Sequence, residues 1–430
     1  MGEYPRTGVR DLVRLAGRLG AAKFRRADPS EALVGWLRDA TRRHGSANIV
    51  LNLLVRRILF VSEPELSAHV LAGSPSETSF AAGTMKRKAM TFLAPNALTI
   101  SHDDQWRALR AYNEAVLQPG REHVLHRSVL ALVRQAFERP PGGIDDIRRC
   151  MGRVMLGVVF GEGGAPARLI DDIAELFAEV GLRTALFGSR KNAVRDRFYD
   201  ELRRLWRGTK AGEQPSLLAL GRDAEHGVGA PYRREDVLVE QIPHWMFTFT
   251  HSGADLLARS LAMIAARPES LRRVREEIEA AGSLEDAANI GKLRYLEACI
   301  LETGRLYPPV VQTAHRSAGD DRFNGVTIPA GTEMIQYFPF TNRDVSRDPL
   351  ANHFRPDRWL DPQGQAAAQY PNLFLSGARA CPGRSLILLV IKAAAANVLR
   401  RAKVGAGAGA LARDPLPFSF PRESLRFGTS

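Results

Sequence analysis

Apolar residues fall on every side of "EDVLVEQIPHWMFTFTHSGADLLARSLAMIAA", residues 235–266. A surface helix keeps one polar face, so this pattern predicts a buried helix. If continuous it runs about 48 Å at 1.5 Å per residue, and Pro243 is expected to kink its first part. Other segments carry helical periodicity: "PSEALVGWLRDATRRHG" with Ser30 as its cap, "QWRALRAYNEAVL", "RRCMGRVMLGVVFG", "PARLIDDIAELFAEVGL" and the charged, amphipathic "AVRDRFYDELRRLWRG". Pro268 suits the first turn of "PESLRRVREEIEAAG". Strand signals cluster in "NIVLNLLVRRILFVS" and in "RFNGVTIPAGTEMIQYFPF", where Gly325 and Gly331 mark turns. No repeat or linker divides the chain, and "GAGAGALARDPLP" reads as a late loop. The pattern predicts one domain over 1–430, mainly α with small β-sheets, entered through a lead-in over 1–29.

Composition narrows the class. With 45% hydrophobic and 25% charged residues the 430-residue chain can bury a large core and is not disordered. Three cysteines give no disulfide framework and point to a reducing compartment. The first twenty residues lack a signal peptide's apolar core, and Arg56 and Arg57 interrupt a stretch too short to span a bilayer. A soluble, cytoplasmic protein without a membrane span is expected. The net charge of +13 favours an acidic partner. No nucleic-acid-binding signature accompanies it, which leaves an acidic protein or a basic surface without a specific partner.

One cysteine is framed unlike the others. In "FLSGARACPG", residues 374–383, Cys381 precedes the strongly apolar "RSLILLVIKAAAANVL". A thiol at a helix entrance meets backbone N–H groups and the positive dipole end, which favour a thiolate. Gly377 and Gly383 allow close approach to the backbone. Phe374 offers an apolar wall and Arg379 a cation. These features suit an iron porphyrin with one sulfur ligand. Zinc does not fit, because no second Cys or His stands at ligand spacing, and a cysteine hydrolase would need a base that the local sequence lacks. The stretch matches Phe-x-x-Gly-x-Arg-x-Cys-x-Gly and resembles the haem-binding signature of the cytochrome P450 family, in which a cysteine thiolate holds the haem iron. Across roughly residues 30–425, other segments resemble the family in the correct order.

The resemblance implies a triangular prism of helices, with haem b (iron protoporphyrin IX) buried between the long central helix and the cysteine-loop helix. Cys381 is then the metal ligand, framed by Phe374, Gly377, Arg379 and Gly383. "LETGRLYPP" is similar to the Glu-x-x-Arg helix, and "NRDVSRDPLANHFRPDRWLDP" to the segment that completes it. Glu302, Arg305 and Arg358 would form a structural triad. Trp106 and Arg110 in "DDQWRALR" would reach a propionate, as would His315, by spacing, or Arg316, by residue type. The implied activity is that of a monooxygenase acting on a small organic substrate, with electrons from an acidic ferredoxin or flavodoxin and its reductase. Arg384 and Lys392 would face that partner. A monomer is expected, and the Ala- and Arg-rich composition suits bacterial specialised metabolism.

The central helix departs from the family's Ala-Gly-x-Asp/Glu-Thr. Counting back from "LARSLAMIAARPE" puts Thr248 and Phe249 at Ala-Gly, His251 at the acid and Ser252 at the alcohol. Three readings follow. His251 and Ser252, with Thr248 nearby, form a substitute proton relay; or the relay is lost to chemistry without oxygen insertion, such as peroxide use, coupling, dehydration or rearrangement; or His251 caps a turn loosened by Gly253. A haem sensor or carrier without turnover is the alternative from another class. Phe247, Phe249 and Val310 are candidates for an apolar substrate wall, and Lys86, Arg87 and Lys88 either meet an anionic substrate group or form a solvated loop.

Overall fold

The computed structural model describes residues 4–24, 29–53, 56–73, 75–76, 79–210, 212, 215–370, 373–401, 404–405, 409–421, 424 and 426–429. Parts of the lead-in (1–3, 25–28), the connection at 54–55 and part of the late loop (406–408) lie outside the described residues. Helices dominate, as the apolar periodicity predicts. The lead-in itself carries a helix, Val9–Phe24. Its Leu12 and Leu15 pack against Trp36 and Leu37 of the next helix, Pro29–His44. The Trp36 indole N–H donates to the Asp11 carbonyl at 2.9 Å. That second helix starts at Pro29, so Ser30 lies inside its first turn instead of capping it. Proline lacks the N–H that a first helical residue leaves unpaired, so it suits that place.

The strands are β1 (Ile49–Leu53), β2 (Arg56–Phe60), β3 (Phe80–Ala82), β4 (Gln312–Ser317), β5 (Asp321–Phe323), β6 (Val326–Ile328) and β7 (Glu333–Tyr337). Five of them form one sheet, in the order β1-β2-β7-β4-β3, with only β2–β7 parallel. Asn324 and Gly325 join β5 to β6 with positive φ at both, the two-residue turn that matches strand twist. Alternation along β4 buries Thr313, His315 and Ser317 and exposes Gln312 and Arg316.

The long central segment is buried but not one straight α-helix. It breaks at Glu240–Gln241 and restarts as Ile242–Phe247, with Pro243 in the first turn. The proline thus begins a helix where a kink was expected. A widened π-turn follows at Thr248–Gly253, then the α-helix Ala254–Ala265. Glycine permits the widening: a Cβ at 253 would stand 2.6 Å from the Thr248 carbonyl oxygen and 2.8 Å from Ile387 Cδ1. Ile387 belongs to the helix after the cysteine, Arg384–Arg401. Ala393 to Ala396 are fully buried there, and small side chains let the neighbouring helices approach. Among the described residues no helix is long and apolar enough to cross a membrane.

Candidate active site

A cavity of about 240 Å³ lies between the central segment and the cysteine loop. Its wall includes Cys381, Gly383, Arg379, His315, Trp106, Arg110 and Thr248. The loop is shaped by its own backbone. Cys381 N–H donates to the Phe374 carbonyl at 2.7 Å. Leu375 and Gly377 both adopt positive φ. At Gly377 a Cβ would stand 2.5 Å from the Leu71 carbonyl oxygen, so only glycine lets helix Pro64–Ala72 press on the loop. At Gly383 a Cβ would meet nothing closer than 3.9 Å, because this residue borders open cavity. Phe374 and Gly377 are not among the lining residues. The Phe374 ring is instead covered by the Arg384 guanidinium, 5.6 Å from its centroid. The apolar walls come from Leu98, Trp245, Phe249 and Ile387.

Cations gather at one side. Arg379 donates to the Phe80 carbonyl at 2.6 Å and meets His315 Nδ1 at 2.9 Å. Burial pulls the Arg379 guanidinium down to about 10 and holds His315 well below the ordinary imidazole value. Arg110 donates to the Ala380 carbonyl, next to the cysteine, and pairs with Glu114, both at 2.6 Å. Lys86 enters the same space. No described lining residue is an aspartate or glutamate. Arg316, on the other face of β4, is exposed.

Behind the cavity, Glu302 and Arg305 are fully buried and doubly bonded, at 2.9 and 2.8 Å. Arg358 Nε stands 3.2 Å from the same carboxylate, without hydrogen-bond geometry. Glu302 also accepts from the Arg355 N–H and the Trp359 indole. Arg305 donates to the carbonyls of Asn342, Ala351 and His353. One helix, Arg294–Leu306, thereby fixes the 342–359 segment. A Cβ at Gly304 would collide with Leu373 Cδ1, so the start of the cysteine loop rests directly on that helix.

Residues 238–412 match the family model described as Cytochrome P450. Cytochrome P450 monooxygenase 176 of Postia placenta is 27% identical over 371 residues, 75% of this chain and 70% of that protein. Cytochrome P450 4d20 of Drosophila melanogaster is 28% identical over 226 residues, 48% of this chain and 44% of the fly protein. The chain spans less than half the length of most of the curated relatives it matches. A solved structure of retinoic acid-bound cyanobacterial CYP120A1 shares the fold, with a TM-score of 0.73 at 20% identity, covering 91% of this chain and 92% of that one. Residues 238–412 thus carry a cytochrome P450 domain, and the chain shares the fold of solved cytochromes P450.

The central helix holds several departures from expectation. Thr248 and Phe249 line the cavity; His251 and Ser252 do not. The His251 ring stacks on Phe247, 5.1 Å between centroids, and Phe247 stacks in turn on Phe177 at 3.9 Å. Its Nδ1 is buried without a hydrogen-bond partner, and burial lowers its pKa. The π-turn has rotated this side chain away from the cavity. Ser252 donates back to the Thr248 carbonyl at 3.3 Å, and Thr248 donates to the His244 carbonyl at 2.9 Å. Val310 is exposed and does not reach the cavity. Of the basic run, Lys86 lines the wall while Lys88 is exposed.

Two electrostatic expectations also change. Burial pushes the Cys381 thiol up, against the pull of the Gly383 N–H and the charges of Arg110 and Arg384. The helix N-terminus alone therefore does not make it a thiolate. Lys392 is buried and paired with Glu297 at 2.8 Å, so it is not a surface docking charge. Arg384 is exposed. Among the polar lining residues that escaped the sequence reading are Gln241, Asn113 and His244. Gln241 accepts from the Leu98 N–H at 3.1 Å, and Asn113 accepts from the Trp245 indole at 2.9 Å. Their only sequence signal was a polar residue inside an apolar helix.

Proposed function

We propose that this P450 holds haem b through Cys381 and oxidises a small organic molecule with dioxygen and electrons from a separate protein. The observation that carries the reading is the charge of the cavity: Cys381 faces it together with Arg110, Arg379 and Lys86, and no described lining residue supplies a carboxylate. A porphyrin's propionates would supply that missing negative charge. Trp106, Arg110, Arg379 and His315 would hold them. His315 takes the role in preference to Arg316 because strand alternation turns it inward. The Cys381 thiol, disfavoured as an anion by burial, would ionise against iron, as coordinating thiols do. Gly383 leaves room beside it. Glu302, Arg305 and Arg358 would keep the loop in place. When bound, the haem supplies oxygen activation, with sulfur donation favouring O–O cleavage.

Thr248 is the central-helix hydroxyl at the cavity wall, and Ser252 follows it one turn on. Together they would pass protons along the helix, each hydroxyl able to donate and accept. His251 has no part in that relay. The protein would work as a cytoplasmic monomer in specialised metabolism. It would be reduced by an acidic ferredoxin or flavodoxin, a pairing supported by the net charge of +13 and the exposed Arg384. A second reading, without oxygen insertion, is favoured by one observation: the acid position carries a histidine stacked away from the cavity. Substrates found by their shift of the Soret band should be turned over under labelled dioxygen and the products weighed. Label in the product, with more hydrogen peroxide released by Ser252→Ala, supports monooxygenation. Unlabelled, coupled or dehydrated product supports the second reading.

A further inference from the structure

We infer that Lys86 and His244 form an anion subsite for the substrate, so that the molecule oxidised is an apolar compound bearing a carboxylate. This rests on haem occupying the cysteine side of the cavity. Lys86 projects from helix Thr84–Leu93 into that cavity. The other two lining cations are already committed. Arg379 is held by His315 and the Phe80 and Gly73 carbonyls, and Arg110 by Glu114 and the Ala380 carbonyl. Lys86 makes no hydrogen bond or ion pair with any described residue. A partly buried ammonium loses some of its solvation and, without an anion, gains nothing in return. Burial and the neighbouring Arg379 pull it down to about 8. It is thus still mostly charged at neutral pH.

His244 stands on the central helix one turn before Thr248 and also lines the cavity. Its ring meets the edge of Phe177, 5.9 Å between centroids, and its nitrogens bond no described residue. Burial, with Lys86 nearby, drives it down to about 4, so the ring is neutral and keeps one N–H to donate. A carboxylate entering here would neutralise Lys86 and accept from His244. The rest of the molecule would lie along Trp245, Phe249 and Ile387, beside Thr248.

The test uses haem-loaded protein already shown to have thiolate ligation, so that failure of the subsite is distinct from failure of the haem assignment. The probes are dodecanoic acid and a tricyclic diterpene acid, each paired with its methyl ester. Binding is followed by calorimetry and by the Soret shift at neutral pH. At least one acid should bind about ten-fold or more tightly than its ester, the factor that one charge-assisted bond supplies. In Lys86→Met that preference should fall to about two-fold or less, with haem content unchanged, and His244→Phe should reduce it in part. Acids that bind no better than their esters, or no binding by either acid, would overturn the proposal. So would loss of haem from Lys86→Met, which would assign the lysine to a propionate.

Discussion

Replacing Glu302 by alanine tests how the cysteine loop is held. The carboxylate is fully buried and accepts from both arms of Arg305, from the Arg355 N–H at 3.0 Å and from the Trp359 indole at 2.8 Å. In Glu302→Ala, Arg305 keeps its three carbonyl acceptors but loses its counter-charge at zero exposure. Removing one partner of such a pair costs about 3–5 kcal/mol, a large share of the roughly 5–15 kcal/mol that holds a domain folded. An unfolding entropy of about 2.1 cal/mol/K per residue turns this into a Tm lower by about 3–6 °C for 430 residues. Glu302→Gln keeps an acceptor for Trp359 and should lose less. The effect has a pH signature. Burial alone would raise the Glu302 carboxyl, but Arg305 and Arg358 outweigh it and hold the group below its ordinary 4.5. A depressed carboxyl stabilises fully above the unfolded value and loses this contribution as pH falls through the folded one. The gap between parent and variant should therefore be constant near neutrality and close in acid. Calorimetry across pH, with haem release followed in parallel, checks both. A Tm change below about 1 °C at neutral pH, or a gap that widens in acid, would refute the reasoning.

Alanine at Gly253 would put a Cβ 2.6 Å from the Thr248 carbonyl oxygen. It should cost about 1–3 kcal/mol, where the same change in an ordinary helix interior gains up to about 1 kcal/mol; a raised urea midpoint would count against the π-turn geometry. Arg384→Glu should slow reduction by an acidic ferredoxin at low salt and converge with the parent once salt screens exposed charge; equal rates at low salt would remove Arg384 from the docking face. Lys392→Met should change stability but not the salt dependence of reduction, because the lysine is enclosed with Glu297; a flattened salt response would contradict its burial.

Much of the fold was legible because apolar periodicity reports burial directly. The all-round apolar central run and the "RSLILLVIKAAAANVL" helix both lie in the core, and the Asn324–Gly325 turn stands where its residues demand positive φ. The glycines of the cysteine frame were legible as sites of close approach, and at Gly377 the neighbour proves to be the Leu71 backbone. Side-chain direction was harder to read. His251 was placed over the cavity by counting in α-helical steps, and a π-turn, which sequence periodicity does not announce, moved it. The choice between His315 and Arg316 turned on strand phase, which "TAHRS" alone leaves open by one residue. Lys392 looked like a surface charge in an apolar helix, because its partner Glu297 lies 95 residues away. Lys86 looked like one of three solvated basic residues, and only the fold shows which of them turns inward.

The central claim is that Cys381 is the sulfur ligand of a haem in this cavity. The ferrous–carbon monoxide difference spectrum tests it most directly, on the parent and on single variants of the three cysteines. The account predicts a strongly red-shifted Soret band in the parent and in Cys150→Ala and Cys299→Ala, whose thiols are buried away from the cavity, and its absence in Cys381→His. A red-shifted band that survives in Cys381→His, or a parent without one, would contradict it.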